Sequence, residues 1–214
     1  MAAPDKTQFW NQAAGTKKFT HPLDHARFTN ALSRDADILD FGCGQGRLCA
    51  ELMELGFRRV VGVDSSPEMV RAARKVCPDF IFAVNDGGQL PFAAGSFDAV
   101  LLFAVLTCIP DDAAQKILLA GFKRILRPGG LLLISDYPLQ TDARNLERYA
   151  QFSQEPGGYG SFRLPEGTLL RHHRREWFTE VLAGFEIEEF VELDATTMNG
   201  NPARIAQLWC RRSA

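Results

Sequence analysis

Short, continuously apolar runs alternate with amphipathic stretches through the first two thirds of the chain. The runs predict strands at 37–42, 60–64, 80–85, 98–104 and 131–136, and the intervening patterns predict helices at 46–56, 67–76 and 111–126. Strands apolar on both faces and separated by helices form a parallel sheet covered on both sides. Ser66-Pro67-Glu68 starts a helix with a hydroxyl cap, a first-turn proline and an acid near the positive end of the dipole. Arg127-Pro128-Gly129-Gly130 closes the helix before the fifth strand. The pattern then changes. Glu186–Leu193 alternates acidic and apolar residues, and a second strand pattern covers Arg204–Arg212. The short loop between them, with Gly200 and Pro202, predicts an antiparallel C-terminal hairpin. The fold class is α/β, with seven strands and helices on both faces. Upstream, Thr20-His21-Pro22 begins a helix reaching Leu32, and Phe9-Trp10 precedes it.

Length and composition narrow the class. The chain has 214 residues, 46% hydrophobic and 23% charged, with a net charge of −2. This suits a single globular domain over 1–214. Within it, 1–35 is read as an N-terminal cap segment, 36–137 as the core, 138–176 as an insertion and 177–214 as a helix with the strand pair. The near-neutral charge exerts no general pull on nucleic acid or acidic lipid, so neither is expected as a partner. The N-terminus shows no secretory pattern, and no apolar run approaches the roughly 18 residues of a membrane span. Five cysteines without a Cys-x-x-Cys pair fit reduced thiols in a cytoplasmic protein. Four scattered histidines supply no metal-binding spacing, so no metal is expected.

The chemistry concentrates at Ile38-Leu39-Asp40-Phe41-Gly42-Cys43-Gly44-Gln45-Gly46. Glycines let the backbone turn sharply and let a ligand lie against it. Asp64 closes the second strand about 20 residues after Gly42, where an acid can meet a ribose held over such a turn. Asp40 discriminates among nucleotides. A carboxylate beside the turn repels a pyrophosphate and suits a cationic ligand without phosphate, which is the chemistry of S-adenosylmethionine. Arg47 also stands where the dinucleotide fingerprint requires its third glycine. A plain strand-to-helix turn is the competing structural reading. An NAD-dependent oxidoreductase and a non-catalytic S-adenosylmethionine-binding module are the competing functional ones. In an open parallel sheet the ligand lies at the carboxyl ends of the strands, here the edge carrying Asp40, Gly42, Asp64, Asn85, Asp86 and Phe103. Cys43, in the turn itself, is expected only to fill space.

These segments resemble the class I S-adenosylmethionine-dependent methyltransferases, in particular the small stand-alone type 11 group. The glycine stretch is similar to their first motif and Val61-Gly62-Val63-Asp64-Ser65-Ser66-Pro67-Glu68-Met69 to their second. Asp86-Gly87-Gly88-Gln89-Leu90-Pro91-Phe92, Ser96-Phe97-Asp98-Ala99-Val100 and Leu126-Arg127-Pro128-Gly129-Gly130 follow in family order, covering about residues 37–137. The resemblance implies a seven-stranded Rossmann-like sheet, with S-adenosylmethionine as cofactor and S-adenosylhomocysteine as product. It implies a cofactor site of Asp40, Gly42, Cys43, Gly44, Gly46, Asp64, Ser65, Met69, Asn85, Asp86, Gly87 and Phe103. Asp64 is expected on the ribose, Asp86 and the Gly87 N–H on the adenine, and Lys18 or Thr20 on the methionine carboxylate.

The acceptor side is less constrained. Phe103-Ala104-Val105-Leu106 departs from the Asn-Pro-Pro-Tyr type motif of nucleobase and protein-amide methyltransferases, which leaves a small-molecule acceptor. Residues 137–176 are the longest interruption between predicted strands and are rich in aromatics, as a cover over a small molecule would be. Methyl transfer by in-line displacement needs a base only when the nucleophile arrives protonated. His172, His173 and Tyr137 are the catalytic candidates. The two histidines are adjacent, so in an extended segment only one faces the site. Arg171, Arg174 and Arg175 read as a solvated face, with Glu166 and Glu176 nearby.

Overall fold

The computed structural model describes residues 6–85 and 89–213. Helices α1 (Lys6–Ala13) and α2 (His25–Ala31) precede β1 (Asp37–Phe41). There follow α3 (Arg47–Glu54), β2 (Arg59–Asp64), α4 (Pro67–Val76), β3 (Ile81–Val84), β4 (Phe97–Phe103), α5 (Asp112–Ile125) and β5 (Leu126–Asp136). An insertion carries α6 (Ala143–Gln151), β6 (Ser161–Arg163) and β7 (Leu169–Arg171). The chain ends with α7 (Arg175–Val181), β8 (Phe185–Thr196) and β9 (Pro202–Arg212). Seven strands form one sheet in the order β3-β2-β1-β4-β5-β9-β8. Strands β1 to β5 pair in parallel, and β9 runs antiparallel to both β5 and β8. This is the expected α/β sheet with its antiparallel C-terminal hairpin. The strand order reverses between β1 and β4, which opens a crevice at their carboxyl ends.

Alternation along the central strands divides the core. Ile38, Leu101 and Leu133 pack with Leu48, Leu52 and Val70 of α3 and α4. Their neighbours Leu39, Val100 and Leu132 face Leu118, Phe122 and Phe178 of α5 and α7. Gly62 of β2 lies opposite Asp40 of β1, and a Cβ there would sit 2.5 Å from the Phe82 ring. Close packing of β3 over β2 therefore requires the missing side chain.

Two boundaries differ from expectation. α2 begins at His25 rather than near Thr20, because Asp24 caps it by accepting the Arg27 N–H at 3.0 Å. His21 precedes Pro22, which disfavours helical backbone there, and 17–24 is non-helical. The segment Arg127–Gly130 does follow the end of α5, but it is a bulge in β5 itself. Leu126 pairs with Phe97 while Leu131 already pairs with Ala99. Among the described residues, no helix is long and apolar enough to cross a membrane.

Candidate active site

The bend after β1 is built by backbone contacts to β2. Gly42 and Cys43 N–H both donate to the Val63 carbonyl, at 2.8 and 2.9 Å. Gly44 N–H donates to Asp64 Oδ2 at 2.9 Å, and Ser66 N–H donates to Asp64 Oδ1 at 2.8 Å. Asp64 thus fixes the bend on one side and the start of α4 on the other, with lone pairs left for a ligand. Burial raises its pKa against the pull of these donors. Gly42 has φ +75°, and a Cβ there would run into Val105 Cγ2. Asp40 is 1% exposed. Its Oδ2 accepts the Cys49 thiol proton at 3.3 Å, and its Oδ1 has no partner among the described residues. Burial pushes its pKa up to about 7.

The facing wall grows from the end of β5. Asp136, fully buried, accepts N–H bonds from Thr107 and Tyr137 and has its pKa raised to about 7 by burial. It ties the loop after β4 to β5. In that loop Ala104 has φ +56°, the one non-glycine with left-handed backbone among the described residues. Such strain recurs at ligand sites. His21 reaches across from the N-terminal segment. Its Nδ1 lies 3.1 Å from the Ser135 carbonyl and 3.0 Å from Ser135 Oγ; the carbonyl can only accept, which assigns the proton to Nδ1 with the hydroxyl as a second acceptor. Nε2 is then an unprotonated acceptor, buried without a partner, and burial lowers the pKa to about 4.

His172 has the opposite tautomer. Tyr149 Oη lies 2.5 Å from His172 Nδ1, and it accepts from Gln140 N–H at 3.2 Å. With the Gln140 N–H already on its oxygen, the phenol is placed to donate its one proton to Nδ1. His172 therefore holds its own proton on Nε2, which has no partner among the described residues. Burial keeps the ring neutral, its pKa well below the ordinary 6.5, and Arg148 adds to this. Its ring stacks on Tyr137 at 5.1 Å between centroids. Both walls enclose one cavity of about 500 Å³.

Residues 39–134 match the family described as "Methyltransferase domain". A ubiquinone biosynthesis O-methyltransferase of Xanthomonas axonopodis is 31% identical over 141 residues, 59% of this chain and 55% of that protein. In that match the chain spans about half the relative's length. The corresponding protein of Xanthomonas campestris is 30% identical over 209 residues, 91% of this chain and 81% of that protein. The chain belongs to the class I S-adenosylmethionine-dependent methyltransferases. A SAM-dependent methyltransferase structure from Methanosarcina mazei superimposes with a TM-score of 0.81 at 26% identity, covering 87% of this chain and 97% of that one. The cofactor of such methyltransferases is S-adenosylmethionine. The residues here fit it: a bend without side chains, the Asp40 carboxylate lining the cavity for a cation, and Asp64 at the end of β2.

Most residues expected at the methyltransferase site do line the cavity. Asp40, Gly42, Cys43, Gly44, Asp64 and Ser65 form one end, with Met69, Asn85 and Phe103 beside them. Asp86 and Gly87 lie outside the described residues. Gly46 does not line the cavity. It caps α3 at φ +87°, and its Cα side lies against Ala73, where a Cβ would come within 3.1 Å. Lys18 is exposed and also outside the lining, while its neighbours Phe19 and Thr20 are in it. Of the catalytic candidates, Tyr137 and His172 line the cavity and His173 does not. His173 turns to the opposite side, where its Nε2 meets Gln115 Nε2 at 2.7 Å and its ring packs on Phe178. The basic residues from the end of β7 onward are paired with acids: Arg171, buried rather than on a solvated face, with Asp112, Arg174 with Glu180, Arg175 with Glu192. Sequence reasoning missed Arg144 and Arg148 of α6, and Met198, Asn199 and Asn201 of the β8–β9 turn, all of which line the cavity.

Proposed function

We propose that the protein transfers a methyl group from S-adenosylmethionine to a small molecule held with it in this cavity. The observation that carries the reading is that the glycine bend, Asp40 and Asp64 share one cleft with the aromatic insertion. A volume of about 500 Å³ is in the range of small-molecule sites. Bound S-adenosylmethionine supplies an activated methyl electrophile. The protein's part is then to orient, exclude water and manage one proton. Asp64 holds the ribose hydroxyls against the bend, and Asp40 meets the cationic amine. Holding the acceptor in line can contribute roughly 7–11 kcal/mol. Residues 6–35 and 138–176 act as covers around the core within a single domain.

The tautomers bear on the proton. His172 offers an N–H and is a donor to the acceptor rather than a base. His21 Nε2 has the free lone pair, but at a pKa of about 4 it accepts a proton weakly. The cavity therefore suits a nucleophile that is already ionised or needs no base. The Xanthomonas relatives are named for O-methylation, so hydroxylated rings are the first acceptors to try. The test is incubation of the purified protein with isotopically labelled S-adenosylmethionine and hydroxylated aromatics or a metabolite extract. A labelled small-molecule product with stoichiometric S-adenosylhomocysteine is expected, and Asp64→Ala should weaken cofactor binding about tenfold or more. Tight S-adenosylmethionine binding with no S-adenosylhomocysteine from any pool would leave a binding module instead.

A further inference from the structure

The cavity is electrically divided once Arg47, which also lines it, is counted as neutralised by its ion pair with Glu51 at 2.5 Å. Its acidic lining residues among those described are Asp40 and Asp64, both at the glycine bend. The far end carries Arg144 and Arg148, one turn apart on α6 and therefore on one face of it. Neither has a close acid. Arg148 forms no ion pair among the described residues, stacks its guanidinium 3.4 Å from the centre of the Phe162 ring, and leaves its Nε buried without a partner. Arg144 approaches Asp142 only to 4.0 Å. Asp142 is engaged in capping α6, accepting the Asn145 N–H at 3.2 Å. Both guanidinium groups act on His172, whose N–H opens on the same space. Phe162, Leu164 and Leu170 supply flat apolar walls between these donors.

Two like charges one helical turn apart repel, and a half-buried guanidinium with an unmet N–H is costly. An anion supplied by a ligand to the reachable end of each guanidinium relieves the repulsion. Resting on the methyl-transfer reading, we infer that the methyl acceptor is an aromatic or conjugated small molecule bearing a carboxylate. Arg148 and Arg144 take the carboxylate, the Phe162 wall takes the ring, and the His172 Nε2–H donates to a further oxygen. The guanidinium fork matches a carboxylate in two hydrogen bonds, which a neutral amide of the same shape does not reproduce. The cationic end of the cofactor and the anionic end of the acceptor then occupy opposite ends of the cavity, each against complementary charge.

The test uses the full chain saturated with S-adenosylhomocysteine, with binding measured by calorimetry. The probes are hydroxylated benzoates and cinnamates, each paired with its neutral amide. At least one acid is expected to bind ten times or more tighter than its amide. Arg148→Gln should remove most of that preference and Arg144→Gln part of it, with amide affinity and S-adenosylhomocysteine affinity unchanged. The inference is overturned if no acid outbinds its amide, or if the preference survives in the double variant. Failure of the wild type to bind S-adenosylhomocysteine would instead sink the methyl-transfer reading on which the inference rests.

Discussion

Asp40 should cost the ligand-free protein stability at the pH where it serves the cofactor. Its pKa is raised from an ordinary 3.8 to about 7 by burial. A folded state that binds a proton more tightly than the unfolded chain is favoured when the group is protonated. For this acid the penalty is absent below about pH 4, grows as pH rises toward 7, and is full above that. The difference of about three pH units corresponds to roughly 4 kcal/mol at 1.36 kcal/mol per unit. Asp40→Asn preserves shape, and its amide oxygen can still accept the Cys49 thiol proton. The variant should therefore be more stable than wild type at pH 8, by up to about 4 kcal/mol, with the gap closing toward pH 5. Asp136 and the histidines titrate in both proteins and cancel in the difference. The same variant should bind S-adenosylmethionine more weakly, by about 1.5–3 kcal/mol for a lost charge-assisted contact. Urea unfolding of the ligand-free proteins at pH 5 and pH 8, with calorimetry of cofactor binding, reads both effects. A variant less stable than wild type at pH 8, or a gap independent of pH, would refute the reasoning. Undiminished cofactor affinity would show that Asp40 does not face the cation.

The remaining expectations concern the bend and the histidines. Gly42→Ala should lower cofactor affinity at least tenfold by calorimetry, since the left-handed backbone at φ +75° disfavours a Cβ by roughly 1–2 kcal/mol and Val105 must also move. His21 and His173 have pKa values lowered by burial to about 4 and about 3, and His172 lies well below 6.5. For histidines held neutral, the stability is fully present above pH 6.5 and is lost as pH falls toward 4. His21→Gln should reduce the proton uptake on unfolding at pH 5 by about one proton, measured as the slope of unfolding free energy against pH. An unchanged slope would mean that His21 charges in the folded protein. Tyr149→Phe leaves the Gln140 N–H and His172 Nδ1 unpaired, which should cost about 1–3 kcal/mol in urea unfolding. It should also weaken binding of the acceptor while leaving S-adenosylmethionine affinity intact.

Much of the cofactor end was legible because local rules act there. Val60–Asp64 and Ile38–Asp40 are apolar runs ending in acids, and the sheet places both acids at the same edge. Ser66 caps α4 as its position suggested, accepting the Met69 N–H at 3.1 Å. The further bond from Ser66 Oγ to Asn11 Oδ1 at 2.6 Å, which ties α1 to α4, has no local signal. The acceptor end depends on tertiary placement. In α6, Arg144 and Arg148 sit among Asn145, Glu147 and Tyr149, and the sequence alone suits a solvated helix. Burial of Asn145 and Tyr149 against the insertion turns the arginines toward the cavity. The β8–β9 turn read as a simple hairpin loop. Strands of 12 and 11 residues carry it back over the site, where Lys17 Nζ donates to Asn199 Oδ1 at 2.6 Å. The lysine that ties the N-terminal segment to the hairpin is thus Lys17, and Lys18 points to solvent.

The choice between the two adjacent histidines is made by the backbone rather than by the rings. Leu139 N–H donates to the His173 carbonyl at 2.8 Å, and His173 N–H donates to the Tyr137 carbonyl at 3.1 Å. His172 N–H donates to the Gly160 carbonyl at 3.0 Å. These bonds form an isolated parallel bridge between Pro138 and His173 and lock the register of the segment after β7. A slip of one residue would exchange the two side chains between faces. Gly160 permits the arrangement, having φ +103° and so little room that a Cβ would collide with the His172 carbonyl. With the register held, Tyr149 can reach only His172, so the phenol that sets the tautomer and the ring that faces the cavity belong to the same histidine. The donor character of the acceptor end follows from that chain of main-chain contacts, and the arginines of α6 extend it.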